Sequence, residues 1–320
     1  MNRIGWIDLL RGFCMLLILW FHTEEYYAGT DIIPYHLYVV NALTTFYFIS
    51  GYLFYNNKPF SLRKKLRSIV RGIVIPYFFF TLILAVPKAM MNHLPIADVI
   101  VQILTGNGSW FITSLITAEV VFACVLSVRN KWLLHCLPIV ALTASWLLTD
   151  TDVSLHHNYW NFHNALIGLI FLYTGYQYHR NEGSFQLFHR TSSLLLLLIF
   201  WIIIKIYVYH TDVRLLIEPV LVDNYAVFLI DTFCFILLAI GLFKRLPSMQ
   251  WLQWIGRHSL VYYFFCGAVP MAITKLLSIL HFPFHSYWQI PIVFLLVCVF
   301  TTIIVWISYR CLPFINNNKK

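Results

Sequence analysis

The chain has 320 residues, 60% of them hydrophobic and 11% charged, with a formal net charge of +9 and a mean hydropathy of +0.74. A water-soluble domain of this length carries about twice that charge fraction. The composition therefore excludes a soluble enzyme and indicates an all-α polytopic membrane protein. The positive balance reads as a topology signal, and no nucleic-acid partner is expected. Seven cysteines, an odd number, fall mostly in apolar runs without a CxxC pair, so no disulfide framework is expected.

In chain order, apolar runs long enough to span a bilayer, or nearly so, occupy about 4–22, 36–55, 69–87, 109–128, 132–149, 162–179, 193–210, 225–243, 258–280 and 288–311. This predicts about ten transmembrane helices, the fifth and sixth being short and flanked by polar or aromatic residues. With the N-terminus inside, seventeen Lys and Arg fall in cytoplasmic segments, among them Lys58, Arg63, Lys64, Lys65, Arg129, Lys131 and the Lys319–Lys320 tail. Only Lys88 and Arg214 fall outside, while Arg11, Lys205 and Lys275 lie within helices. That bias satisfies the positive-inside rule and places both termini in the cytoplasm. The outer loops carry acids instead, including Asp31, Asp150, Asp152, Asp212, Glu218 and Asp223. Without an internal repeat or linker, residues 1–320 read as one domain. The first run is read as retained, because Asp8 and Arg11 interrupt the apolar core that a signal peptide needs.

The first helix holds the most informative pattern. Eleven positions separate Arg11 from His22, which is three turns plus about 20°, so both project from one face about 16 Å apart. Asp8, Met15 and Ile18 share that face. A charge in a membrane helix costs at least ~2.5 kcal/mol at the bilayer centre. Arg11 either snorkels to the surface and pairs with Asp8, or belongs to a polar stripe that faces the protein interior. His22 has the titration range of a general base acting on a hydroxyl, with Glu24 and Glu25 within a turn to orient it.

Further along, six cations lie between Lys58 and Arg71, ahead of Pro76. They suit anionic lipid headgroups, while Arg67 and Arg71, at i and i+4, suit a polyphosphate clamp. Ser50 and Gly51 interrupt an aromatic helix, where the glycine permits close helix approach. Gly106-Asn107-Gly108 forms an outer turn before Trp110, and Glu119 and Asp231 are intramembrane acids that face the interior. Lys205 and Lys275 are expected to snorkel. His156, His157 and His163 lack the partner spacing of a metal site, so no metal is expected.

Taken together, these segments resemble the acyltransferase 3 family of bacterial membrane acyltransferases, in the style of its fucose 4-O-acetylase-like branch. Asp8, Arg11, Gly12 and His22 match its Asp-x-x-Arg-Gly opening with ten residues between arginine and histidine. Phe46 to Leu53 resembles its Ser-Gly segment, and Arg67, Arg71 and Pro76 its paired arginines. Trp110-Phe111, Gly175-Tyr176 and Gly256-Arg257-His258-Ser259-Leu260 extend the likeness over nearly the whole chain. Two departures stand out. Cys266 occupies a position where the family often has histidine, and Thr44 one where relatives have an acid, which makes Glu24 or Glu119 the substitute partner for His22.

The resemblance implies transfer of an acetyl group from acetyl-CoA to a hydroxyl of a cell-surface or exported glycan, or of a lipid-linked sugar, at a bacterial inner membrane. The expected chemistry residues are His22, Glu24 and Glu119, with Arg11, Ser50, Arg67 and Arg71 holding the acyl-CoA and Trp110 the acceptor. Direct attack of the acceptor on the donor thioester is expected rather than an acetyl-histidine. The rival is a transporter of a lipid-linked sugar, against which the lack of repeats and of midplane helix breaks argues.

Overall fold

The computed structural model describes residues 4–56, 58–91, 93–151, 158–312 and 315. Asp152, His156, His157, Lys319 and Lys320 lie outside the described residues. Among those described, the helices are α1 (Gly5–Ala28), α2 (Tyr35–Phe54), α3 (Leu62–Ile69), α4 (Ile75–Met91), α5 (Ile96–Leu104), α6 (Trp110–Val128) and α7 (Lys131–Leu148). There follow α8 (Phe162–Arg180), α9 (Thr191–Thr211), α10 (Tyr225–Phe243), α11 (Gln250–Arg257), α12 (Ser259–Phe265), α13 (Ala268–Ile279) and α14 (Gln289–Cys311). A single π turn, Val70–Val74, joins α3 to α4. One antiparallel hairpin, β1 (Leu215–Ile217) with β2 (Val220–Val222), pairs Leu215 with Val222 in the loop before α10.

Eight helices among the described residues are long and apolar enough to cross a membrane, or nine if α12 and α13, bent by 43° at their break, form one span. The chain is thus an all-α polytopic membrane protein. The sixth expected span is present as α8, which is 19 residues long but not among those apolar enough. The reason is visible in its burial. Every residue from His163 to Leu172 is buried, and Asn164 donates to the Ile217 carbonyl of β1, so this stretch meets protein instead of lipid. By contrast α9 turns Leu195, Leu196, Ile199, Phe200 and Ile203 outward, the surface a lipid-facing helix needs.

The chain divides into two compact units, Met1–Leu43 with Phe233–Lys320, and Thr44–Thr232. In the first, α1 packs on α11, α12, α13 and α14. Two glycines set its closest crossing. A Cβ at Gly12 would stand 2.2 Å from the Leu252 carbonyl oxygen, and one at Gly256 1.8 Å from that of Asp8. The second unit uses the same device between α2 and α8. A Cβ at Gly51 would lie 2.0 Å from the Leu172 carbonyl oxygen, and one at Gly175 2.0 Å from that of Phe48. The glycine of the Ser-Gly pair therefore permits close helix approach, as its sequence context predicts.

Candidate functional site

In the first unit the face shared by Arg11 and His22 is turned inward. Met15 and Ile18 on that face are 0% and 2% exposed, while Arg11 itself is half-buried. The stripe is therefore not lipid-facing, and α1 carries its arginine against protein. His22 sits near the C-terminal end of α1, where its Nδ1 lies 3.3 Å from Glu25 Oε2. This corrects the expectation for Glu24. That carboxylate is 1% exposed and is occupied elsewhere, accepting from Trp20 Nε1 at 2.5 Å and from the Ile33 amide at 3.4 Å. Successive helical residues point 100° apart, so only one of two adjacent acids can share the histidine's side. The i+3 position wins. His22 also stacks on Tyr26, with ring centroids 6.1 Å apart.

The second unit holds the other candidates. Ser50 on α2 donates to Glu119 Oε1 on α6 at 2.5 Å, and Lys65 on α3 reaches Glu119 Oε2 at 2.9 Å. Both oxygens of this buried carboxylate are thus occupied. Lys65 also stands 3.5 Å from the centre of the Phe54 ring. Within the basic cluster it is the lysine that turns inward, which its position in a run of cations does not disclose. Arg67 and Arg71 stay exposed, with the π turn beginning between them. The i, i+4 spacing is therefore not that of an unbroken α-helix.

Trp110 is half-buried at the first position of α6, its ring edge-on to Phe111 at 5.7 Å. The turn before it is tightly built. Gly106 has φ +92°, and a Cβ there would meet the Trp160 Cα at 2.6 Å. Trp160 and Asn161 are both left-handed, at φ 53° and 51°. They are held by Trp160 N donating to the Thr105 carbonyl at 2.7 Å and Asn161 Nδ2 donating to the Gly106 carbonyl at 3.0 Å. Sequence reasoning passes over both residues, because αL conformations at Trp carry no local signal.

Asp231 and Lys205 are the other intramembrane charges of this unit. Lys205 does not snorkel as expected but bonds Asp231 Oδ2 at 2.7 Å, with Asp231 fully buried. A fully buried carboxylate on the neighbouring helix gives the ammonium a partner that the lipid surface cannot match. Lys275 is exposed. His163 is engaged by Ser145, its Nε2 lying 3.0 Å from the Ser145 carbonyl oxygen. Arg11, His22 and Glu24 thus belong to the first unit, and Ser50, Arg67, Arg71, Trp110 and Glu119 to the second.

A family model described as an acyltransferase domain matches residues 4–310 of the chain. No match was found among curated proteins or among solved structures.

Proposed function

Because the chain belongs to the acyltransferase 3 family and is a membrane acyltransferase, we propose that it moves an acetyl group from acetyl-CoA to a hydroxyl of a cell-surface or exported glycan or of its lipid-linked precursor. A bacterial inner membrane suits such a reaction, since the donor is cytosolic and the product is exported. The observation that carries this reading is the His22–Glu25 pair at the end of an inward-facing stripe that also holds Arg11. With Nδ1–H donated to the carboxylate, the ring presents its basic nitrogen, and the imidazolium that forms is stabilised by Glu25. His22 takes the proton of the acceptor hydroxyl as its oxygen attacks the acetyl carbonyl. Arg11 adds positive charge to that stripe, and Arg67 and Arg71 carry the guanidinium forks that suit a coenzyme A phosphate. The exposure of both arginines supports that part. Trp110 offers a ring face to a sugar. Glu119, with both oxygens engaged, positions α3 and Ser50 instead of moving a proton.

Deletion of the gene followed by complementation tests this. Wild-type protein is expected to restore acetyl esters on the surface glycan, and His22→Ala to lower them about 100-fold or more. Full acetylation by a folded His22→Ala protein overturns the reading.

A further inference from the structure

His22 and Tyr26 stand at i and i+4 on the last turns of α1, so both rings leave one side of the helix. Their centroids are 6.1 Å apart and their planes 24° apart. Glu25 engages one imidazole nitrogen, Nδ1, at 3.3 Å and leaves Nε2 for a substrate. The hydroxyl of Tyr26, on a half-buried ring, has no hydrogen-bond partner among the described residues. Beside it lies the break between α12 and α13, where Gly267 precedes α13. Gly267 is a glycine for neither of the usual reasons. Its φ of −94° is open to any residue, and a Cβ there would clash with nothing. In this it differs from Gly12 and Gly256, where a Cβ would stand 2.2 and 1.8 Å from a backbone oxygen. Apart from its chain neighbours, the added atom would have only Tyr26 within 4 Å, at 3.6 Å from Oη and 3.9 Å from Cε2. The missing side chain therefore leaves room beside the phenol. All of these residues belong to one unit.

We propose that Tyr26 is a further catalytic residue: its phenol donates a hydrogen bond to the acetyl carbonyl oxygen during transfer, in the room that Gly267 leaves open. This rests on the acyl-transfer reading above and supplies what His22 alone does not. His22 takes the proton of the acceptor hydroxyl, and the hydroxyl oxygen bonds the acetyl carbon. The carbonyl electron pair moves onto the carbonyl oxygen, where the Tyr26 O–H meets the charge that develops. That pair then returns, the carbon–sulfur bond breaks, and the coenzyme A thiolate takes the proton from His22. A thioester becomes an oxyester, with no change of oxidation state and with the phenol proton never leaving Tyr26. A phenol suits this task, because it keeps its proton at neutral pH and so donates throughout. Base and donor on one helix face, one turn apart, can serve the two ends of the same reacting centre, the hydroxyl and the carbonyl.

The test uses purified full-length protein, radiolabelled acetyl-CoA and, as acceptor, surface polysaccharide extracted from the deletion strain. Tyr26→Phe keeps the ring beside His22 and removes only the donor. It is expected to lower kcat about 100-fold, as loss of one oxyanion donor does, while the KM for acetyl-CoA stays within about twofold. Tyr26→Ala, which also removes the ring, is expected to be at least as slow. Gly267→Leu, which fills the room beside the phenol, is expected to slow transfer about tenfold, and Gly267→Ala to stay within about twofold of wild type. Wild-type kcat in folded Tyr26→Phe overturns the donor role and leaves the acyl-transfer reading and His22 intact. A raised KM for acetyl-CoA with unchanged kcat overturns it equally, because the hydroxyl then binds donor without favouring the transition state. Unhindered transfer by Gly267→Leu overturns the placement of the carbonyl beside Tyr26. No transfer by wild-type protein overturns the acyl-transfer reading and this role with it.

Discussion

Two acids, one in each unit, are held in opposite ways. In Thr44–Thr232 the carboxylate of Glu119 is closed, with Ser50 on one oxygen at 2.5 Å and Lys65 on the other at 2.9 Å. In Met1–Leu43 with Phe233–Lys320, Glu25 is 49% exposed and touches His22 at a looser 3.3 Å. A carboxylate with both oxygens occupied holds helices in place, while one that leans on a titratable ring leaves the ring capacity to react. Glu119 is thus placed to hold helices together, and Glu25 to support His22.

Exchanging the two acids for amides separates the roles most strongly. Glu119→Gln strands Lys65, and breaking a buried pair costs about 3 kcal/mol, so unfolding in denaturant is expected well below the wild-type midpoint. Glu25→Gln, at an exposed pair, is expected to change stability by less than about 1 kcal/mol yet to slow acetyl transfer about tenfold through its effect on His22. A stable, inactive Glu119→Gln together with a fully active Glu25→Gln breaks the comparison.

The glycine crossings sharpen it next. Gly256→Ala forces a methyl towards the Asp8 carbonyl, and Gly51→Ala one towards that of Leu172, at 1.8 and 2.0 Å before relaxation. Each is expected to cost about 1–3 kcal/mol by overpacking. Of the two, Gly256→Ala is expected to lower transfer in the protein that still folds, because it displaces the α1 turn that leads to Arg11. Equal catalytic damage from both would remove the distinction between the units.

Arg67→Ala with Arg71→Ala reads the exposed part of the second unit. The pair is expected to raise the KM for acetyl-CoA about tenfold while leaving kcat and the acceptor KM near wild type. Lysine at both positions should rescue poorly if the guanidinium fork is what binds phosphate. Unchanged donor kinetics reduce the cluster to a topology anchor.

The smallest effect concerns the hairpin loop. Hydrogen bonds donated by Arg214 hold the Asp223 carboxyl below its ordinary value of 3.8. Its contribution is present in full above that value and is lost as pH falls below it towards the folded-state pKa. Hydrogen exchange of the β1–β2 amides in wild type and Asp223→Asn is therefore expected to differ at neutral pH and to converge in acid. A difference that persists in acid would assign the protection to backbone pairing alone.

The sequence by itself determined the membrane class, the position of nearly every span, the single helix face that Arg11 and His22 share and the family. Those follow from composition and from helical periodicity, which are local. Gly51 was legible as a packing site for the same reason, since a small residue among aromatics leaves a gap that another helix fills. What only the tertiary structure decided was which groups meet. Glu25 instead of Glu24 reaches His22 because the other acid is drawn to Trp20 and Ile33. Lys65 leaves its cationic neighbours because α6 presents Glu119 to it, and Lys205 stays inside because Asp231 lies on the neighbouring α10. Both lysine pairings are choices among partners distant in sequence, and electrostatic pairing in a low-dielectric interior depends on distances that only packing sets.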